Sequence, residues 1–208
     1  AGKGERPQWG DEGWRRDMLE ALYHGLMAGS GEAVREGLDL FLLALRSYYP
    51  LAGEIARVWQ QVAEDQETAK EVRRWAEPLS TAWTAIRSRS WAGVLPLCDL
   101  LKGRRDLSIA ARCNALLIGG IAFHRLGQYE SALQEFSQAV ALDQQLTTAY
   151  FQRGLTHLRL QQYEAAIADL SRVIELSPTF TAAYHQRGIA YAWLEQYESA
   201  LEDLERTI

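Results

Sequence analysis

Five residue positions return at an interval of 34. Tyr150, Gly154, Tyr163, Ala166 and Leu170 recur as Tyr184, Gly188, Tyr197, Ala200 and Leu204. One period earlier the same places hold Leu116, Gly120, Tyr129, Ala132 and Phe136. The strings around them are nearly the same: Gly-Gln-Tyr-Glu-Ser-Ala-Leu at 127–133, Gln-Gln-Tyr-Glu-Ala-Ala-Ile at 161–167 and Glu-Gln-Tyr-Glu-Ser-Ala-Leu at 195–201. A period of this length marks a supersecondary unit that cannot bury its apolar face alone, so successive units stack into a solenoid.

Each unit reads as two helices joined by a short turn near the Gln-Tyr pair. In the middle period Tyr150, Gly154 and His157 share one face, and Ala166, Leu170 and Val173 share another. Spacings of three and four are those of amphipathic helices. Small residues at Gly120, Gly154 and Gly188, and at Ala132, Ala166 and Ala200, let the paired helices approach closely. Pro178 closes the middle unit, because it cannot continue a helix.

These residues resemble the tetratricopeptide repeat family. Its order of aromatic, Gly and aromatic, then Ala, aromatic or Leu, and a final Pro is followed by 147–180 almost position for position. Residues 113–146 follow it with Leu116 for the first aromatic and Gln144 for the Pro. A third unit, 181–208, stops inside its second helix and is expected to be truncated, with a terminal helix lost. The resemblance implies an all-α fold: a right-handed α-solenoid of helix-turn-helix repeats over 113–208, preceded by an irregular helical region.

That region, 14–110, follows a polar, Gly-rich stretch at 1–13 that reads as a flexible lead-in. Trp14, Met18, Leu22 and Leu26 predict a helix over 14–27, ended by Gly29-Ser30-Gly31 with Ser30 as candidate cap. Further helices are expected at 32–48 before a break at Pro50, at 51–63, and at 68–75 ahead of Pro78. Residues 79–102 read as a degenerate hairpin of the repeat type, although Trp91 aligns with Tyr129 at an offset of 38 and Pro96 falls inside the helix. Asp106 is the expected cap of a helix running to Arg125. Trp59, Trp75, Trp83 and Trp91 are expected to fill gaps between irregularly packed helices. No strand alternation is present.

Composition then narrows the function. The 208 residues hold 22 Lys+Arg against 27 Asp+Glu, a net charge of −5, which argues against nucleic acid as a partner. From 111 onward the balance is 7 basic against 11 acidic, so the repeats are no general polyanion binder either. Cys98 and Cys113 lack metal spacing, the four histidines (His24, His124, His157, His185) are scattered, and no nucleotide-binding or hydrolase motif occurs. No enzyme, cofactor or metal is therefore expected. His157 reads as a satisfied core histidine, and Asp169, Glu202 and Asp203 as a solvated outer face. The most apolar stretches, 38–45 and 115–123, fall short of the roughly 20 residues that span a bilayer, so the chain reads as soluble, with a cytoplasmic setting favoured.

Function is expected to come from surface shape. The resemblance implies that the first helices of successive repeats line a concave groove that holds a peptide or an amphipathic helix of another protein. Carried over residue by residue, the groove would present Asn114, Leu117, Ile118, Ile121 and Arg125 from the first repeat. The second supplies Phe151, Gln152, Leu155 and Arg159, and the third His185, Gln186, Ile189 and Trp193. An apolar stripe of Leu117, Ile121, Phe151, Leu155 and Ile189 is free for a guest, so Glu at Phe151 or Leu155 should abolish binding and spare the fold. Arg125 and Arg159 could seat a carboxylate or phosphate. The chaperone-binding subclass uses groove Asn and Lys, where this chain has mostly Leu117, Ile121, Gln152 and Leu155. The expected role is a non-catalytic scaffold or assembly adaptor. The alternative is a regulatory or sensor domain of a larger protein, whose groove binds a signal peptide or its own tail. Self-association through the C-terminal end is a further expectation.

Overall fold

The computed structural model describes residues 10–47, 49–64 and 70–207. The lead-in expected at 1–13 falls outside these up to residue 9, as do Tyr48 and Thr68 at two expected helix ends. The chain forms two compact units, Ala1–Ala115 and Leu116–Ile208. Regular structure among the described residues is helical throughout.

In the first unit α1 spans Glu12–Met27, its start held by Asp11, whose carboxylate accepts the Trp14 N–H at 2.9 Å. It ends at Gly29, which takes a φ of +68°. Ser30 then accepts the Ala33 N–H at 3.3 Å at the start of α2, Gly31–Ser47. Pro50 lies in the first turn of α3, Tyr49–Ala63, where a missing N–H leaves no bond unmade.

Helix α4, Lys70–Arg87, departs from expectation, for it runs straight through Pro78. An interior proline costs about 3 kcal/mol. Here Val72, Trp75, Leu79 and Ala82 are buried along one face on both sides of it. Each large apolar side chain buried is worth about 1.5–3 kcal/mol, so packing wins. The segment expected as a degenerate hairpin is the end of α4, a 3-10 turn at Trp91–Val94 and the short α5, Leu95–Lys102. Pro96 stands in the first turn of α5 and breaks nothing. The cap of α6, Ile109–Arg125, is Ser108 rather than Asp106: its Oγ accepts the Ala111 N–H at 3.0 Å. Asp106 instead pairs with Arg104, which also donates to Glu71 at 3.0 Å and lies 5.2 Å over the Trp75 ring. Trp59 and Trp75 are fully buried, and Gly53 makes room for Trp83, whose indole would stand 2.6 Å from a Cβ there.

The second unit contains the end of α6 and five further helices: α7 Tyr129–Leu142, α8 Thr147–Arg159, α9 Tyr163–Leu176, α10 Thr181–Trp193 and α11 Tyr197–Glu205. Helix starts recur at the period of the sequence, and so do the turns that join them. Gly127, Gln161 and Glu195 take φ of +75°, +58° and +60°, a conformation that comes free only to the first. Within each hairpin the glycine face lies against a large side chain of the partner helix. A Cβ on Gly120 would stand 2.4 Å from the Phe136 ring, and one on Gly154 3.1 Å from Leu170.

A second periodic contact ties each repeat to the one before it. Arg153 donates from Nε and Nη2 to the two oxygens of Asp169 at 2.8 and 2.7 Å, and from Nη1 to Ser137 at 3.2 Å. One period later Arg187 does the same to Asp203, at 2.7 Å twice, and to Ser171 at 2.9 Å. Asp169 and Asp203 are therefore not on a solvated face: they are 6% and 4% exposed, and only Glu202 points to water. His157 donates from Nδ1 to the Gln162 side-chain oxygen at 2.7 Å and brings Nε2 within 3.8 Å of Asp169.

Gly120→Ala should cost about 1–2 kcal/mol, overpacking against an aromatic ring outweighing the helix-propensity gain. Gly154→Ala, facing a flexible leucine, should stay within about 1 kcal/mol of the native chain in urea unfolding. Asp169→Ala should cost about 2–3 kcal/mol by leaving a half-buried guanidinium without its partner. A double-mutant cycle with Arg153→Met should return a coupling of about 1–3 kcal/mol, and a coupling near zero would remove the clamp from the account.

Candidate functional site: a trough across the repeats

The ends of α6, α8 and α10 border a trough of about 680 Å³ within the second unit. Three rows cross it, each built from residues one period apart. Gln152 and Gln186 form an amide row, Ile121, Leu155 and Ile189 an apolar row, and Arg125, Arg159 and Trp193 a third. The rows arise because the Gly faces of these helices are consumed by their hairpin partners, which turns the positions two before, one after and five after each glycine, about 100–160° round the helix, toward the trough.

These eight residues are the expected groove positions that the structure brings together. The other five stand elsewhere. Asn114 belongs to the first unit, is 5% exposed, and accepts a hydrogen bond from Arg46 at 2.8 Å. Leu117 is 1% exposed, packed in a core with Leu116, Ala132 and Phe136, and Ile118 is buried as well. Phe151 packs 4.9 Å from Phe180 against the core of Ala166, Leu170 and Val173, so it is a structural residue. His185 is exposed and lies off the trough, beside Gln186 at 3.2 Å.

Four lining residues were not expected: His124, Leu158, Gln161 and Tyr163. His124 and Leu158 are 34 residues apart, and that register was the available signal. Tyr163 stacks on Trp193 at 5.8 Å with the rings 6° from parallel, which closes one end with an aromatic wall. Trp193 itself is 66% exposed.

The protonation of His124 follows from its neighbours. The Thr156 hydroxyl donates its single proton to the Gln152 carbonyl at 2.7 Å. Its oxygen therefore accepts from His124 Nδ1 at 2.9 Å, and the neutral ring carries its lone pair on Nε2. Burial, then Arg159 and Arg125, hold the His124 pKa below its usual value. The trough thus offers amides, an apolar floor, guanidinium groups and a neutral imidazole, and no carboxylate lines it. Among the described residues no group of three or more His, Cys, Asp or Glu could hold a metal ion. No helix of the described residues is long and apolar enough to cross a membrane.

Comparison with known proteins agrees with this architecture. Residues 147–180 match the tetratricopeptide repeat family, and 120–161 match its TPR repeat. No curated protein sequence matches the chain significantly. Similar solved structures include YrrB, described as a TPR protein with an unusual peptide-binding site, at 19% identity and a TM-score of 0.61 over 89% of this chain and 90% of that one. MamA from Desulfovibrio magneticus RS-1 shares 21% identity at a TM-score of 0.55 over 73% of each chain. MamA AMB-1 shares 14% at 0.59 over 84% of this chain and 87% of that one. Residues 120–180, within the second unit, thus carry tetratricopeptide repeats.

The depressed His124 pKa makes the fold's stability depend on pH. The unfolded chain takes up a proton near pH 6.5, where the folded chain resists it, so stability is lost as pH falls through that value. Urea unfolding should give a weaker fold at pH 5.5 than at 7.5, and His124→Gln should flatten part of that slope.

Proposed function

We propose that this protein is a non-catalytic interaction scaffold whose trough receives an apolar or amphipathic segment of a partner protein. The observation that carries this reading is the row Ile121, Leu155 and Ile189: three apolar residues one period apart that line the trough and are only partly buried, Ile121 also touching the core of the first hairpin. Gln152 and Gln186 can each donate to and accept from the backbone of a guest. Arg125 and Arg159 are exposed at the edge and suit a carboxylate or phosphate on that guest. The similarity in fold to YrrB, itself described as having a peptide-binding site, is consistent with this use of the repeats.

Leu155→Glu is the direct test. It should remove the partner from material captured out of the source extract, read by mass spectrometry against the native chain, while helix content stays the same. Phe151→Glu should instead cost about 3 kcal/mol or more in stability, because that ring belongs to the core. Identical capture by the native chain and the Leu155→Glu variant would move the binding site off the trough.

A further inference from the structure

A second surface, on the first unit, has a different chemistry. Two hollows flank α2. One, of about 530 Å³, lies between α1 and α2 and is lined by Trp14, Met18, Leu22 and Leu40 among others. The other, of about 340 Å³, lies between α2 and the start of α6 and includes Leu40, Leu43, Ala110 and Ala111. Glu36 and Leu40 line both, so the pair forms one continuous feature across the helix.

Its charge is one-sided. Asp17 lines the first hollow, Asp39 the second and Glu36 both, and no Lys, Arg or His lines either. The first unit as a whole holds 16 basic and 16 acidic residues over 1–115, so this is a local segregation. Asp39 is also incompletely satisfied: its Oδ1 is sealed from solvent and accepts no hydrogen bond. Burial raises its pKa, bonds from Ser108 oppose that, and the nearby Asp106 adds like charge.

We propose that this double hollow docks a basic amphipathic segment of a partner protein, placing two bulky apolar side chains in the hollows and a Lys or Arg against Glu36. The α2 residues that line the hollows run from 33 to 43, about 15 Å along the helix, a span that two or three turns of a guest helix cover. A second copy of this chain is a poor occupant, since it brings a net charge of −5 to an acidic surface. The surface is separate from the trough, and its success or failure leaves the trough reading untouched.

The test titrates the full chain with a synthetic amphipathic helical peptide of Leu and Lys, and with its Leu and Glu counterpart, by calorimetry. The Lys peptide should bind and the Glu peptide should not. Asp17→Lys with Glu36→Lys should weaken the Lys peptide at least about tenfold. Glu198→Lys with Glu202→Lys, on exposed positions of α11, should change it by no more than about twofold. Asp17 and Glu36 are both exposed, so the charge variants keep the fold, and a melting curve for each confirms it. Leu40→Ser should weaken the same peptide by removing the floor common to both hollows. Unchanged affinity in the hollow variants, or an equal loss in the α11 variants, would overturn the proposal in favour of bulk charge attraction. A native dimer in sedimentation that Glu36→Lys dissolves would overturn it in favour of a second copy.

Discussion

The close approach of two helices within each repeat is the constraint from which the second unit follows. Gly120 leaves no room for a Cβ beside the Phe136 ring, and Gly154 and Gly188 face Leu170 and Leu204 at 3.1 and 3.0 Å from a Cβ. One face of each first helix is thereby spent inside its own hairpin. The Arg153–Asp169 and Arg187–Asp203 pairs then reach back to Ser137 and Ser171 of the preceding repeat, fixing the angle between neighbours as well as within each pair. What remains on the first helices is side chains only partly used in packing, with Ile121 touching the first hairpin's core and Trp193 stacked on Tyr163, and their rows cross the trough.

The first unit reaches stability by other means. Its helices follow no period, and its core sets two fully buried indoles, Trp59 and Trp75, among Phe41 and many aliphatic side chains, with Trp83 seated over Gly53. Hollows lie on both sides of α2. The two units therefore present surfaces of opposite sign: guanidinium groups beside an apolar floor in the repeats, carboxylates beside apolar hollows in the first unit. If both proposed sites are used, opposite signs on one chain would select different partner segments and discourage one guest from occupying both.

Much of the repeat unit was legible in the residues, because a 34-residue period predicts helix ends, turns and packing faces together. Rows such as Ile121, Leu155 and Ile189 could be named for the same reason. Other features were hidden by geometry that periodicity does not carry. Leu117 and Phe151 have the composition of groove residues, but Leu117 is sunk in the core and Phe151 is held against Phe180. Asp169 and Asp203 look like surface carboxylates until the arginines sixteen residues earlier are brought over them. Pro78 reads as a helix end because a local rule says so, and the burial of Trp75 and Leu79 on either side overrides it. In the first unit, with no period to align, helices could be placed but their contacts could not.

On the proposed function, a partner segment lies in the trough of the second unit. Site-specific photo-crosslinking tests it most directly, with the reactive residue placed at Ile189 on the trough floor or at the exposed Ala168 of α9, which lies off the trough. A guest in the trough gives a discrete adduct in source extract from the Ile189 position and none from Ala168. Adducts from Ala168 alone, or equally from both positions, would contradict it.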